Sequence, residues 1–447
     1  MSTPDRFYLN STTGDDQAAG TSPDTAWRSI ARANRQALLP GQRLLLLPGV
    51  HRGSLHPACR GDESADPIVI AGIGTERAVI EAESGDAVAC ADVGGLAIRD
   101  LVCRGRGAEN GIAIRNALSG ARVLSGIEIS NCDCSGFSNC GIVVLGCASD
   151  YSQSGFAGVR ITGSRCWDNR YYGCKLDAPW DEAANRHAHR DVVIRNCQFF
   201  DNRGDPSYME NHSGSGLLID GVDGALIESC SAWGNGLDCH ATVGGPCGIW
   251  AHACNRAVIR RCVSHHNAAG SLIDGDGFDF DAGVTNSVME HNLSYHNGGA
   301  GYMVYDYDQS PRAVAGNVVC DNVSVDDCRH NCWYGAIHVF AHHPAGICSI
   351  RITDNRVLLT APDATARDRA IAAALACHHS HGATILGNHL EVIGNAYALR
   401  GGANRGALVG SNHLSVVGDH PVVRWDDRDY PSYAAWCAET GYGEVQA

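Results

Sequence analysis

Positive charge is scarce in this sequence. Lys and Arg total 34 against 49 Asp and Glu, which gives a formal net charge of -15. An acidic surface repels polyanions, so the composition predicts no nucleic-acid partner and no anionic membrane surface as a partner. Long apolar runs are also missing, and no stretch approaches the roughly 20 residues that a bilayer-spanning helix needs.

The opening residues lack the basic and apolar segments of a secretory signal, since the chain begins with the polar stretch Met1-Ser-Thr-Pro-Asp-Arg6. The sequence does contain 21 cysteines, several of them at regular intervals. We expect these to be stacked core thiols in a reducing compartment. A cytoplasmic location is therefore the expectation, and secretion is the alternative if a signal peptide has been removed.

Lysine is almost absent, because 33 of the 34 Lys and Arg residues are arginine and Lys175 is the single lysine. A lysine, unlike an arginine, can lose its proton and act as a base. Lys175 is therefore a candidate catalytic or substrate-binding residue, and chance survival is the alternative explanation.

What the sequence has in abundance is a repeat of about thirty residues. In nearly every repeat an Ile or Val is followed, three residues later, by a position that is most often Cys, Ser or Asn. These positions are Leu101, Cys132, Ser164, Cys197, Cys230, Cys262, Asn292, Asn322, Asn355, Asn388 and Asn412. A fixed period with two strand signals per repeat is typical of a solenoid, and the recurring small polar residues predict internal stacks at a corner of each coil.

A second series of segments begins with glycine and alternates in polarity. The segments start at Gly111, Gly141, Gly173, Gly216, Gly248, Gly277 and Gly301. Their second and fourth residues are nearly all apolar and are predicted to point inward, because side chains on a strand alternate with period two. The outward residues become rich in ionisable and aromatic groups only in the middle segments. Helical repeats fit this pattern poorly, so we predict an all-β, right-handed parallel β-helix.

The repeat is continuous, which predicts one domain over residues 1–447. Residues 1–52 are predicted to form an N-terminal cap, 53–423 the coils and 424–447 a C-terminal cap. In the first cap we expect a helix from Asp24, as its N-cap, to Leu38, with Trp27 closing the open end. In the second we expect a short helix that ends at Gly441, with Trp436 covering the last coil.

The middle segments carry the candidate catalytic residues. Asp220, His252 and Asp281 occupy one outward column, so the two carboxylates are expected roughly 9–10 Å apart with His252 between them. Asp279 lies one alternation from Asp281, about 6.5–7 Å away. Inverting glycosidases separate their acid and base by roughly 6.5–9.5 Å.

Further residues on the same face are expected to bind substrate. Trp250 and Tyr305 offer flat surfaces for a sugar ring. Lys175, His252 and His338 are candidates to pair with an acidic sugar. The remaining predicted contacts are Asp177, Asp276 and Asp306. The plain alternative is that these residues are solvated charges on an acidic protein.

Two Cys–His groups raise the question of a metal. They are Cys239-His240 with Cys247, and Cys328 with His330 and Cys332. Neither has the paired spacing of a structural zinc motif. We therefore predict no metal ligands and no cofactor.

The ladder of segments with Gly275-Asp-Gly-Phe-Asp-Phe-Asp281 resembles the pectin-lyase-like superfamily of right-handed β-helix carbohydrate enzymes. Asp276-Gly-Phe-Asp279 is similar to the Asp-Gly-x-Asp element of polygalacturonase-like hydrolases, whose carboxylates act as acid and base. Their second paired-Asp element has an imperfect counterpart in Asp306-Tyr-Asp308.

Other members of the superfamily match less completely. Calcium-dependent pectate lyases have a lysine where this chain has Asp281, and an Asp pair that binds calcium where this chain has Gly298-Gly-Ala-Gly-Tyr302. Ca²⁺ is expected only if the chain is a lyase. Alginate epimerases have Phe-Asp-Pro-His-Asp, and the Pro-His pair is absent from Phe278-Asp-Phe-Asp281.

Three functional hypotheses follow. The first is an inverting glycoside hydrolase that acts on an oligo- or polysaccharide. Asp279 and Asp281 would be its acid and base, and Asp220 and His252 would assist them. The second is a lyase or C5-epimerase on uronate polymers with Lys175 or His252 as base. The third is a non-catalytic glycan-binding or tailspike-like structural protein. The sequence does not identify the sugar or the oligomeric state.

Overall fold

The structure is a computed structural model that describes residues 5–61, 66–147, 154–179, 186–308, 310, 312–361 and 371–443. These residues form two compact units. The first contains residues up to 202 and residues 219–226, and the second contains residues 203–218 and those from 227 onward. The prediction of a single domain is not tested by this division and stays a prediction.

The first unit consists of parallel strands in three sheets, here called A, B and C in the order in which one coil visits them. Sheet A contains Arg6–Leu9, Arg43–Leu46, Ile68–Gly72, Leu96–Arg99, Ile127–Ser130, Arg160–Thr162 and His189–Arg195. Sheet B contains Gly49–Arg52, Ala78–Ala82, Leu101–Gly105, Asp133–Ser135, Arg165–Trp167 and Gln198–Phe200. Sheet C contains Asp86–Ala91, Asn110–Asn116, Cys140–Gly146 and Tyr172–Asp177. Val123–Ser125 and Gly155–Ala157 form an additional parallel pair.

The second unit repeats the arrangement. Sheet A contains Asn255–Arg260, Val288–Glu290, Val318–Cys320, Arg351–Thr353, Thr384–Leu386 and Leu408–Gly410. Sheet B contains Ser231–Trp233, Val263–His265, Leu293–Tyr295, Val323–Val325, Arg356–Thr360, His389–Ile393 and His413–Val417. Sheet C contains Cys247–His252, Asp276–Phe280, Tyr302–Asp306, Gly335–Ala341, Ala373–His378, Tyr397–Gly402 and Val423–Trp425, with Arg428–Tyr430 added antiparallel. Ile347–Cys348 pairs with Ser380–His381, and the strands Ser215–Asp220 and Val222–Glu228 are divided between the two units.

The alternation predicted for the glycine-led segments is confirmed. In sheet C of the second unit, Ile249, Phe278, Tyr302 and Ile337 pair in register from strand to strand, and all four are fully buried. Each side chain therefore stacks on its counterpart in the next coil, and the interior of the coil is a continuous apolar column. This is the parallel β-helix that the period predicts.

The predicted internal stack of small polar residues is also confirmed. In the second unit the backbone N–H of Asn292 donates to Oδ1 of Asn322 at 2.9 Å, and Asn322 N–H donates in turn to Oδ1 of Asn355 at 3.1 Å. The ladder continues through Asn388 to Asn412. Each side-chain amide also donates to a backbone carbonyl, as Asn322 does to Met289 at 2.8 Å. The amides thus satisfy backbone groups at a corner where no strand pairing is available.

A second ladder, which the sequence analysis did not identify, follows the strands of sheet B. Asn235, Asn267 and Asn297 stack in the same way, and the series ends at Asp327. Asp327 is fully buried and accepts from Asn297 N–H at 3.0 Å and from Ser324 Oγ at 2.6 Å. Burial raises the pKa of the Asp327 carboxyl to about 6.

The N-terminal cap differs from the prediction. A helix from Asp24 to Leu38 is wrong, because Pro23–Thr25 is a single 3-10 turn and the α-helix is only Ile30–Ala33, capped by Ser29. The reason is that Trp27 is extended, and its N–H donates to Tyr8 O at 2.9 Å. Asp16 then holds the following residues in place by accepting from Ser29 Oγ at 2.6 Å. Trp27 is nevertheless fully buried, as expected of a plug.

The C-terminal cap follows the prediction more closely. Tyr433–Thr440 is a helix, and Gly441 at its end has a φ of +74°, which glycine adopts without strain. Trp436 is fully buried against Trp425, with ring centroids 5.2 Å apart. All 21 cysteines are free thiols. Within the described residues, no helix is long and apolar enough to cross a membrane.

The asparagine ladder makes a first prediction. Asn322→Ala removes the acceptor for the buried N–H of Asn292 and a donor to Met289 O, and leaves room where the amide stood. Unsatisfied buried polar groups cost about 1–3 kcal/mol each, so we expect the free energy of unfolding to fall by about 2–4 kcal/mol in urea melts. The exposed Asn211→Ala serves as control and should change it by less than about 0.5 kcal/mol. An equal effect of both variants would contradict the structural role of the ladder.

Asp327 makes a second, pH-dependent prediction. Its pKa is raised on folding, so the folded state binds the proton more tightly than the unfolded state. The resulting contribution to the free energy of unfolding is complete below the unfolded pKa near 3.8 and is lost as the pH rises through about 6. The amide introduced by Asp327→Asn can continue the ladder and pair with Ser324, without a charge. We therefore expect the variant to match the native chain near pH 4 and to exceed it at pH 8 by up to roughly 3 kcal/mol. Thermal melts at the two pH values measure this difference, and a pH-independent difference would contradict it.

Candidate active site

The candidate site is built on strand Asp276–Phe280 in sheet C of the second unit. Phe278 and Phe280 are fully buried and point into the coil. Asp279 therefore points to the outer face, where it is in register with Trp250 on one side and Met303 on the other. The outward placement that the alternation predicts is confirmed, but Asp279 is only 6% exposed. It lies in a covered site rather than on an open surface.

A backbone irregularity at Gly277 brings Asp276 to the same side. A Cβ at Gly277 would lie 2.5 Å from Ser294 Oγ and 2.8 Å from Asn297 Nδ2, so this position faces the interior polar ladder and has no room for a side chain. Because Gly277 and Phe278 both face inward, the alternation is broken there and Asp276 lies outward, near Asp279. Cys247, the register partner of Asp276, accordingly places its Sγ 3.9 Å from Asp279 Oδ2.

Burial and nearby carboxyl groups raise the pKa values of Asp276 and Asp279. The pKa of Asp279 is well above its usual range, chiefly because of burial and then because of the nearby charges of Asp281 and Asp276. The pKa of Asp276 is also well above its usual range, because of burial and the charge of Asp274. Asp276 accepts a hydrogen bond from Ala300 N–H on one oxygen. The other oxygen of Asp276 and Oδ1 of Asp279 have no hydrogen-bond partner among the described residues.

Asp281 is different, because it lies closer to solvent and to a histidine. Burial raises its pKa to about 6, and the nearby His252 lowers it. Its Oδ1 accepts from Ala282 N–H at 2.7 Å. Of the two outward carboxyls that the sequence analysis named as acid and base, Asp279 is thus the one held protonated and Asp281 the one that ionises more readily.

Aromatic and imidazole groups line the same face. His252 Nε2 is 3.1 Å from the hydroxyl of Tyr307, and the two rings are stacked with centroids 6.3 Å apart. Tyr305 lies beside Tyr307, at 6.4 Å between centroids. Trp250 is 5% exposed and receives the edge of His212 at 4.9 Å.

Asp274 belongs to this group and was missed by the sequence analysis. Its carboxylate accepts from Tyr334 Oη at 2.9 Å and from Gly245 N–H at 2.7 Å, and burial raises its pKa. Asp274 and Gly275 both have left-handed backbone, with φ of +56° and +84°. An Asp-Gly pair is a common signal for such a turn, and that turn directs the Asp274 side chain back toward the strand that follows.

Four predicted substrate-binding residues are buried rather than exposed to a ligand: Trp250 and Asp276, described above, and Asp306 and His338. Asp306 is fully buried, and its Oδ2 accepts from Val314 N–H at 3.2 Å. It has the inward parity of its strand, so the structure gives it a contact with the protein's own backbone. His338 is fully buried as well, in register with Met303. Burial, with the charge of Arg400, lowers the pKa of His338 well below its usual range, so it is neutral and cannot form the predicted ion pair near pH 7.

The remaining predicted residues lie in the first unit. Lys175 Nζ is 2.6 Å from Asp177 Oδ2 and 4.9 Å from the ring centroid of Tyr172. Burial alone would lower the pKa of Lys175, but the interactions with Tyr172 and Asp177 outweigh it and raise that pKa, so the amine is held protonated. This disfavours Lys175 as a base. Asp220 is also in the first unit, and its predicted distance from Asp281 stays a prediction.

The described residues contain no group of three or more His, Cys, Asp and Glu side chains arranged to hold a metal ion. The two Cys–His groups singled out in the sequence are within this part of the chain. Four side chains form a cluster of carboxyl groups, and burial raises the pKa of each of them. They are Asp274, Asp276, Asp279 and Asp281.

The electrostatics of the cluster make a third prediction. His252→Ala removes the group that lowers the pKa of Asp281, so the midpoint of Asp281 should rise above about 6. Carbon-13 NMR of Asp carboxyl groups, assigned with Asp281→Asn, measures the shift. His265→Ala on sheet B is the matched control and should leave the midpoint unchanged. A midpoint that falls in His252→Ala would contradict the proposed coupling.

Comparisons with known proteins agree with this architecture. A family model described as "Right handed beta helix region" matches residues 110–311. No curated protein matches the sequence significantly. Two solved structures of the GH136 lacto-N-biosidase from Eubacterium ramulus are similar: the native protein has a TM-score of 0.61 at 16% identity over 92% of this chain and 68% of its own, and the selenomethionine derivative has 0.60 at 17% over 94% and 68%.

A pectate lyase, Pel9A, is more distant, with a TM-score of 0.45 at 16% identity over 80% of this chain and 76% of its own. At these identities the similarities concern the fold. The chain has a right-handed parallel β-helix fold.

Proposed function

We propose that the protein is a glycoside hydrolase that acts on an oligo- or polysaccharide. The observation that carries the proposal is a pair of outward carboxyl groups two residues apart whose pKa values differ: burial and neighbouring charges raise the pKa of Asp279 well above its usual range, and the pKa of Asp281, beside His252, is about 6. Divergent pKa values in neighbouring carboxyl groups are what acid and base catalysis of glycoside cleavage requires.

The roles follow from the protonation states. Asp279 donates its proton to the glycosidic oxygen as the bond from that oxygen to the anomeric carbon breaks. Asp281 accepts a proton from a water molecule whose oxygen bonds to the anomeric carbon. The products are one free sugar end and one alcohol. The net proton transfer, from Asp279 to Asp281, is reversed through solvent before the next turnover.

The spacing favours inversion of configuration. Outward residues two apart on a strand are separated by about 6.5–7 Å, which leaves room for the attacking water, whereas retaining enzymes need about 5–5.5 Å. His252, held by Tyr307, is placed to orient the water or the Asp281 carboxylate. Tyr305, which is partly exposed, supplies a flat surface for a sugar ring. Trp250 is buried and instead packs beside Asp279 on the neighbouring strand.

The similarity to a lacto-N-biosidase is compatible with this proposal, because that protein by its name cleaves a glycoside on the same fold. It does not identify the sugar that this chain cleaves.

A uronate lyase or epimerase is the second candidate, since His252 lies beside the carboxyl cluster and is a possible base. Lys175, the other base considered for such a reaction, is disfavoured because Tyr172 and Asp177 raise its pKa. A lyase product would carry an unsaturated uronate with strong ultraviolet absorbance, and a hydrolase product would not.

A fourth prediction tests the assignment. On a panel of oligosaccharides, Asp279→Asn and Asp281→Asn should each lower kcat by at least about 100-fold, because each removes a proton-transfer step. Asp321→Asn, at an exposed turn with left-handed backbone that asparagine also adopts, is the control and should retain full activity. Product analysis by NMR reports the anomeric configuration.

Full turnover in both active-site variants would contradict the acid and base roles. Binding of glycans without any turnover by the native chain would instead support the non-catalytic alternative.

A further inference from the structure

Two cysteines of the first unit, Cys59 and Cys90, lie side by side. Their Sγ atoms are 3.9 Å apart, and both are free thiols. Cys90 belongs to strand Asp86–Ala91, which ends sheet C, and is only 3% exposed, whereas Cys59 is partly exposed. The pair therefore joins a covered thiol to one that solvent reaches.

Backbone hydrogen bonds fix the position of residues 55–60, which carry the partly exposed thiol. Leu55 N–H donates to Ala87 O at 2.9 Å, on the strand that carries the covered thiol. Arg60 N–H donates to Leu38 O at 2.9 Å and holds the other end of the segment. The closeness of the two sulfur atoms therefore results from paired backbone on both sides.

The two thiols differ in acidity. The hydrogen bond from Cys90 lowers the pKa of Cys59 and outweighs the opposing effect of burial. The same hydrogen bond, together with burial, raises the pKa of Cys90 well above its usual range. The thiolate is the form of cysteine that attacks electrophiles. Cys59 is therefore the nucleophile of the pair, and Cys90 is placed to react with it next.

One other group of neighbouring thiols lacks these properties. Cys103, Cys134 and Cys166 are register partners in sheet B, but all three are fully buried. The hydrogen bond with Cys134 raises the pKa of Cys103, and burial raises the pKa values of the other two. Buried neutral thiols are inert toward oxidants in solution, so spacing alone does not make a reactive pair.

We propose that Cys59 and Cys90 form a redox-sensitive site that hydrogen peroxide converts into a disulfide. In the first step the Cys59 thiolate attacks one peroxide oxygen, the O–O bond breaks, and the departing hydroxide takes up the proton that Cys59 had released. In the second step the sulfur of Cys90 attacks the resulting sulfenic acid. The S–S bond forms, the S–O bond breaks, and the hydroxide leaves as water with the proton of Cys90. Two thiols are oxidised, and one peroxide is reduced to two molecules of water.

The disulfide would tie residues 55–60 to the first strand of sheet C. Its sulfur atoms are about 2.05 Å apart, so the two thiols must approach by about 2 Å, which rotation of the partly exposed Cys59 side chain allows. The two cysteines are 31 positions apart in the chain. A link that closes a loop of this length stabilises a protein mainly by constraining its unfolded state. The proposal does not depend on the proposed hydrolase activity.

Peptide mapping of the full chain tests the site, because trypsin places each thiol in a peptide of its own. Cleavage after arginine gives residues 53–60 with Cys59 as their one cysteine, and residues 78–99 with Cys90 as theirs. The chain is treated with a few equivalents of hydrogen peroxide, and the remaining thiols are then alkylated. We expect mass spectrometry without reductant to show these two peptides linked, and dithiothreitol to separate them.

Three variants assign the two steps. Cys59→Ser should abolish the link, and Cys147→Ser, which removes an exposed thiol, is the matched control and should leave it unchanged. In Cys90→Ala the sulfenic acid on Cys59 has no thiol to react with, so dimedone should label residues 53–60. In Cys59→Ser dimedone should leave residues 78–99 unlabelled, because Cys90 is covered.

Thermal melts measure the effect of the link. The oxidised chain should melt at least about 3 °C above the reduced chain, and the difference should vanish in Cys59→Ser. Absence of the linked peptides under conditions that oxidise Cys147 would overturn the proposal. A lower melting temperature in the linked chain would also overturn it, since the native fold would then hold the two sulfur atoms apart.

Discussion

Parallel pairing in strict register from one coil to the next is the constraint on which the rest of this structure depends. It places each residue about 4.8 Å above its counterpart, so like side chains stack on like. Inside the coil this produces the apolar column of Ile249, Phe278 and Tyr302 and the amide ladder that includes Asn322. Outside, the same register gathers polar residues from distant parts of the sequence onto one face. The interior and the site are therefore two results of one geometric rule.

The chemistry of the site arises where this rule is locally broken. Gly277 faces the interior ladder, which leaves Asp276 and Asp279 on the same side of one strand, and the turn at Asp274 adds a third carboxyl. Burial and the closeness of other carboxyl groups raise the pKa values of Asp276 and Asp279. Asp281 follows the end of the strand and lies beside His252, which lowers its pKa, so its pKa rises only to about 6. A gradient in proton affinity along one short segment follows from burial and neighbouring charge alone.

Period and alternation were sufficient to predict the fold, the buried phenylalanines, the outward direction of Asp279 and the stack at Asn322, because each depends on spacing along the chain. Other features depend on contacts between residues far apart in sequence. The helix predicted from Asp24 fails because Trp27 pairs with Tyr8 and Asp16 holds Ser29. The neutral state of His338 depends on its burial and on Arg400, a residue two coils away. The role of Asp274 was missed because it precedes the strand, where alternation gives no information.

The ladder that contains Asn297 has a consequence for how the interior responds to acid. Its earlier members are amides, whose charge does not change with pH, whereas its last member among the described residues is the carboxyl group of Asp327. Asp327 is fully buried, and burial raises its pKa to about 6. A proton can therefore enter or leave the packed interior of this coil in mildly acidic solution, which no other member of the ladder named here allows.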